Sequence, residues 1–140
     1  MKAYLHRRYH FSASHRLHAE ALSEYENQET YGKCNNPYGH GHNYSVEITV
    51  SGPIDAETGM VIDLVELDEV VQEQVVDRFD TTNLNLAEDF LHTVPTTENL
   101  TVRIYERLQN LFPQVKLEQV RVEETSNNTF DYAGKEEILH

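Results

Sequence analysis

Cys34-Asn-Asn-Pro-Tyr-Gly-His40-Gly-His42-Asn-Tyr44-Ser-Val46-Glu-Ile48-Thr-Val50 changes character halfway along. From residue 41 it alternates apolar and polar residues, which predicts a half-buried strand over 41–51 with Tyr44, Val46, Ile48 and Val50 on the apolar face. Residues i and i+2 of a strand share a face, so His40 and His42 can aim both imidazoles at one point. Gly39 and Gly41 remove side-chain bulk around them and let the backbone come close. A His-x-His pair on a strand reads either as a surface pair or as two metal ligands. His15, at the end of the strand-like run Phe11-Ser-Ala-Ser-His15, can supply a third nitrogen. Three imidazoles with an open fourth position describe a catalytic zinc site rather than a structural one.

Outward from this stretch, residues 2–11 alternate with Ala3, Leu5, Tyr9 and Phe11 on one face and predict the first strand. Residues 19–33 are rich in Glu, Asn and Gln without a clean period, and read as a loop or a short irregular helix. Gly52-Pro53 ends the central strand and Thr58-Gly59 makes a further turn. Asp63 and Glu66 resemble a capping box, so a helix starts at Leu64, with Leu64, Leu67, Val70, Val71 and Val75 at helical spacing. Residues 80–95 form a polar connection ending at Pro95. A second helix, capped by Thr96 or Thr97, carries Leu100, Ile104, Leu108 and Leu111 until Pro113 stops it. Residues 117–124 read as a third strand, Asn127-Asn128 as a turn and 129–133 as a fourth. The order β-β-α-α-β-β predicts a single α+β domain over 1–140, an antiparallel sheet with two helices on one face. The other sheet face and both edges are left wanting partners, which favours oligomerisation.

The chain has 140 residues, a size that supports a real core, and a net charge of −13, which argues against a nucleic-acid partner. Up to residue 33, Lys2, Arg7, Arg8, Arg16 and Lys33 face Glu20, Glu24, Glu26 and Glu29, a balance of +1. The remaining 107 residues carry −14. The segment leading into the histidine pair is thus the least acidic, which suits an anionic substrate. No run approaches the roughly 18 apolar residues of a membrane span. No secretory leader opens the chain, and one cysteine leaves no internal disulfide. The expected location is cytoplasmic, in a reducing compartment.

Five segments together resemble the 6-pyruvoyl-tetrahydropterin synthase family, which includes the 6-carboxy-tetrahydropterin synthases of queuosine biosynthesis. They are Phe11-Ser-Ala-Ser-His15-Arg-Leu, residues 34–44, Phe79-Asp80-Thr81-Thr-Asn83-Leu-Asn85, Pro95-Thr96-Thr97-Glu98-Asn and Val122-Glu-Glu124-Thr-Ser-Asn-Asn. The resemblance implies the tunnelling fold (T-fold), in which trimers close a barrel of strands and two trimers stack into a homo-hexamer with active sites between subunits. It implies Zn2+ on His15, His40 and His42. The ion would polarise the side chain of 7,8-dihydroneopterin triphosphate as a C–H proton leaves and triphosphate is lost. Cys34 matches the family's general base; read from the residues alone it is a buried hydrophobe, a fourth structural ligand or a base. Glu124 matches the anchor for the pterin's 2-amino and N3–H groups. Thr96, Thr97 and Glu98 match a second pterin-contacting segment, although they also serve as a helix cap. His6, His10, His18, His92 and His140 fall outside the motifs and read as ordinary.

One departure stands out. The family pairs an aspartate with a histidine to complete a relay with the cysteine. Here Asp80 is followed by Thr81, whose hydroxyl cannot shuttle a proton near neutral pH as an imidazole can. The expected activity is formation of 6-pyruvoyl-tetrahydropterin. The 6-carboxy product stays open, as does a pterin- and zinc-binding homologue with weak or no synthase activity. Assistance of the triphosphate by Mg2+ stays open too.

Overall fold

In the computed structural model, which describes residues 2–36, 39–125 and 127–135, one mixed sheet of five strands in the order β3-β1-β2-β4-β5 carries helices on one face. Pro37, Tyr38 and Ser126 of the motifs, and His140, lie outside the described residues. Strands β1 (Lys2–His15) and β2 (His40–Pro53) pair antiparallel over their whole length, from Lys2 opposite Pro53 to His15 opposite His40. Strand β4 (Lys116–Glu124) runs antiparallel to β2, with Tyr44 opposite Glu124, and β5 (Asn128–Tyr132) closes a hairpin on β4.

The alternation predicted for β1 and β2 is present. Tyr44, Val46, Ile48 and Val50 are buried with Phe11, Ala13, Val120 and Val122 on a single face. That face receives Leu67, Val71, Val75 and Phe79 from the first helical segment and Leu100, Ile104 and Leu108 from the last. Each such side chain contributes about 1.5–3 kcal/mol by leaving water, so the apolar stripe fixes both register and helix placement.

Several expectations need correction. The sheet has five strands, not four, and is not wholly antiparallel: the two-residue β3 (Thr82–Asn83) in the connection after Asp80 runs parallel to β1. A two-residue strand has no period to read. The order is therefore interrupted by β3, and also by helix α1 (Glu24–Tyr31), which lies between β1 and β2. Helix α1 escapes periodicity because its one buried residue is Asn27; it is specified by a capping box between Ser23 and Glu26. Asp63 caps α2 (Leu64–Val71) alone, its carboxylate accepting from Val65 N. A π-helical turn at Gln72–Val76 joins α2 to α3 (Asp77–Phe79), and Arg107 donates to the Gln74 carbonyl at 2.8 Å. Helix α4 (Thr97–Leu108) ends before Leu111, which is 41% exposed. Thr125 and Asn127 are in turn conformation, and Asn128, expected in the turn, is already in β5. Among the described residues no helix is long and apolar enough to cross a membrane.

The 80–95 connection is tied down by charge. Asp89, whose side chain is 1% exposed, accepts from Arg78 at 2.6 Å and Arg103 at 2.7 Å, with Arg107 at 3.3 Å. Burial alone would raise its pKa. Hydrogen bonds from Arg103 and Arg78 and the charges of Arg78 and Arg107 outweigh burial and hold it below the usual carboxylate value. Asp89→Ala leaves three guanidinium groups facing one another and should destabilise the fold by about 3 kcal/mol, the lower end for a broken buried pair because the arginines are partly exposed. A depressed pKa contributes stability above the unfolded value and loses it as pH falls through the folded one. The gap between wild type and Asp89→Asn in urea midpoints should therefore close as pH drops below about 4. An unchanged midpoint at neutral pH would contradict this role.

Candidate active site

The β1–β2 register determines what can meet. Opposite partners in an antiparallel pair project to the same side, so Phe11 with Tyr44, Ala13 with His42 and His15 with His40 all face the helices. Glu124, opposite Tyr44 on β4, joins them. The alternation that places Tyr44 in the core thus carries over, two and four residues earlier, to His42 and His40.

His15 is fully buried, and its Nδ1 lies 2.9 Å from the Pro95 carbonyl. A carbonyl only accepts, so Nδ1 carries the proton and Nε2 presents a lone pair. That Nε2 is buried without a hydrogen-bond partner, and so is His42 Nε2. His42 Nε2 lies 3.1 Å from a Glu124 oxygen, close enough for an ion pair but not aligned as a hydrogen bond. Its Nδ1 sits 3.3 Å from Thr125 Oγ1. Burial lowers the pKa of both imidazoles, which keeps them neutral and able to donate a lone pair.

Cys34 lies in a 3₁₀ turn, Gly32–Asn35, that follows α1 through Gly32 at φ 55°, a left-handed conformation glycine adopts without strain. The turn is strapped to β1's continuation by the bond from Leu17 N to the Cys34 carbonyl. Burial, and secondarily the Glu124 charge, push the thiol pKa up. One donor atom each from His15, Cys34 and His42 lie within 4.8 Å of one another. Two neutral imidazoles with orphaned buried nitrogens beside a thiol are a donor set suited to zinc. His40 is outside that group: it is exposed, with its ring edge-on to His42 at 4.6 Å between centroids.

Glu124 is held from its other oxygen by the Thr97 hydroxyl, while Thr96 caps α4 by accepting from Asn99 N at 3.1 Å. Glu98 is exposed on the first turn of α4. Asp80 and Thr81 are not brought to Cys34 within one chain. Asp80 accepts from Ser12 N at 2.9 Å, and Thr81 N donates to Ser12 O. Both flank open clefts lined by Ser12, Asn43 and Thr125. Ser12 and Asn43 alternate with Ala13 and His42, so those side chains leave the sheet on the opposite face. Thr81 adopts φ 56°, a strained conformation for a β-branched residue.

Two contributors were not singled out from the sequence. The Pro95 carbonyl, which fixes the His15 tautomer, carries no side-chain signal. Tyr44, whose hydroxyl is 3.4 Å from His15 Nδ1, reads as plain core from its spacing.

A family model described as "6-pyruvoyl tetrahydropterin synthase" matches residues 4–135. The chain is 50% identical over 135 residues to the 6-pyruvoyl tetrahydrobiopterin synthase of Drosophila melanogaster, covering 94% of this chain and 80% of that protein. It is 46% identical to the Homo sapiens protein of the same name, over 96% of this chain and 93% of that one. The structure of Caenorhabditis elegans 6-pyruvoyl tetrahydropterin synthase matches with a TM-score of 0.88 at 40% identity, covering 96% of this chain and 97% of that chain. The chain belongs to the 6-pyruvoyl tetrahydropterin synthase family.

Proposed function

We propose that the protein converts 7,8-dihydroneopterin triphosphate to 6-pyruvoyl-tetrahydropterin with release of triphosphate, using zinc. The observation that carries this is the pair of buried, partnerless Nε2 atoms of His15 and His42 set beside Cys34 and the Thr97–Glu124 pair. Relatives at 46–50% identity are named for the 6-pyruvoyl product, which favours it over the 6-carboxy one.

In this reading Glu124 accepts the two parallel N–H donors of the pterin edge, and Thr97 holds the carboxylate in place. Cys34 takes the proton from the side-chain carbon. The C–O bond to triphosphate breaks as the side chain is oxidised and the ring reduced, so no external oxidant is needed. Zinc, held by His15, His42 and a third ligand, supplies Lewis-acid polarisation of the side-chain oxygens. We assign His40 as that third ligand, turning in from its place against His42, so that Cys34 stays free as base. Asp80 and Thr81 then act on a neighbouring subunit's site within a T-fold homo-hexamer, since their own chain's cysteine is on the other side of the sheet. The domain spans residues 1–140, acts in the cytoplasm and takes no nucleic-acid or membrane partner.

Zinc content tests the ligand set. His15→Ala, His40→Ala and His42→Ala should each lose bound zinc, whereas Cys34→Ala should keep it and lose turnover. Zinc lost from Cys34→Ala but retained in His40→Ala would make the set His15, Cys34 and His42.

Glu124→Gln replaces a two-acceptor charge with an amide of one acceptor and one donor. Affinity for a phosphate-free dihydropterin should fall by about 1.5–3 kcal/mol while zinc stays bound. Unchanged affinity would move the anchor elsewhere.

Thr81→His should raise turnover at least about tenfold, the lower part of the usual range for a general acid–base group. Histidine also tolerates the left-handed backbone better than threonine, so the substitution should not lower the melting temperature. Identical turnover in both forms would end the relay reading.

A further inference from the structure

Among the described residues, Thr81, Asn110 and Thr125 have positive φ without being glycine. Asparagine visits the left-handed region readily, but a β-branched residue is held there only where its surroundings compel it. The Thr81 hydroxyl folds back onto its own chain and donates to the Asp80 carbonyl at 2.7 Å. Thr125, at φ 50°, reaches another strand: its Oγ1 lies 3.3 Å from Nδ1 of His42.

The backbone conformation makes that contact. Strand β4 ends at Glu124, opposite Tyr44, and Thr125 N still donates to the Asn43 carbonyl at 2.9 Å, one rung further on. Had the strand continued in extended form, alternation would send the Thr125 side chain out on the open face beside Asn43, away from His42. The left-handed turn brings the hydroxyl to the imidazole instead.

Proton accounting gives the contact a direction. A neutral imidazole carries one N–H, and the nitrogen that ligates a metal must be the bare one. Nε2 of His42 is buried without a hydrogen-bond partner, so the proton belongs on Nδ1 and the Thr125 hydroxyl accepts it. The Pro95 carbonyl does the same for His15. His42 has the greater need of such a partner. A Glu124 oxygen lies 3.1 Å from its Nε2 and draws the proton towards the nitrogen that has to stay bare.

We propose that Thr125 is a positioning residue for the metal, its hydroxyl accepting the His42 Nδ1 proton so that Nε2 is kept as a free lone pair. This gives a reason for a backbone conformation that threonine otherwise avoids. The proposal rests on the zinc reading above. Loss of such a partner to a ligating histidine typically costs about 10–100-fold in metal affinity.

Chelator competition for zinc, together with thermal melting of the metal-free protein, tests it. Thr125 is exposed, so replacing it opens no cavity in the core. Thr125→Val keeps the shape and the strained backbone but removes the acceptor. It should bind zinc at least about tenfold more weakly and melt, metal-free, with the wild type. Thr125→Ser restores the acceptor and should bind zinc within about threefold of wild type. Thr125→Gly removes acceptor and strain together, so it should melt no lower than wild type yet hold zinc as weakly as Thr125→Val. A threonine that merely shaped the turn would move stability and leave zinc affinity alone. Unchanged zinc affinity in Thr125→Val, or equal loss in Thr125→Ser, overturns the proposal. If His42→Ala releases zinc while Thr125→Val retains it, this inference alone fails. If His42→Ala retains zinc, the zinc reading fails and this inference with it.

Discussion

Fourteen residue pairs join β1 to β2, and they set which side chains the rest of the molecule can bring together. The pairing runs without interruption from Lys2–Pro53 at one end to His15–His40 at the other. Its inner half is held by burial: Phe11 stacks on Tyr44 with ring centroids 5.2 Å apart, and Val46, Ile48 and Val50 are wholly shielded. A slip of one residue would turn Val46 and Ile48 to the exposed face and carry His40 and His42 with them. The hydrophobic register of the core and the placement of the imidazoles are therefore one constraint, satisfied once.

The same coupling explains why polar groups are tolerated at the end of an apolar sheet face. His15 would be costly if its ring were unsatisfied, and one nitrogen is satisfied by the Pro95 carbonyl at the mouth of α4. Its other nitrogen, with that of His42, is left as a buried lone pair. Such an orphan is expensive in a purely structural setting and is explained by a ligand. The helix that delivers Pro95 also delivers Thr97 to Glu124, so docking α4 on the sheet completes two parts of the site together. Asp89, clamped by arginines from α3 and α4, fixes the connection that leads into this helix.

Charge is arranged with equal economy. Most cations are neutralised by nearby carboxylates, some across the sheet and some between helix and loop. Arg16 and Lys33 line one cavity beside the turn that holds Cys34.

The sequence alone determined the two long strands, the helix starts at Leu64 and Thr97, and the face shared by His40, His42 and Tyr44, because each rests on a period or a cap. The motif segments also carried His15, Cys34 and Glu124. Residues 19–33 could be read only as a loop or a short irregular helix, because no apolar period marks α1, and β3 was hidden because two residues have no period. Only the tertiary structure decided that Cys34, rather than His40, stands with His15 and His42 in one chain. It also decided that Asp80 and Thr81 sit across the sheet from them, and that Thr81 occupies a left-handed backbone. These are facts about distance between segments far apart in the chain. Spacing within a strand or helix reports which face a residue occupies, but not which distant segment the folded core will press against it.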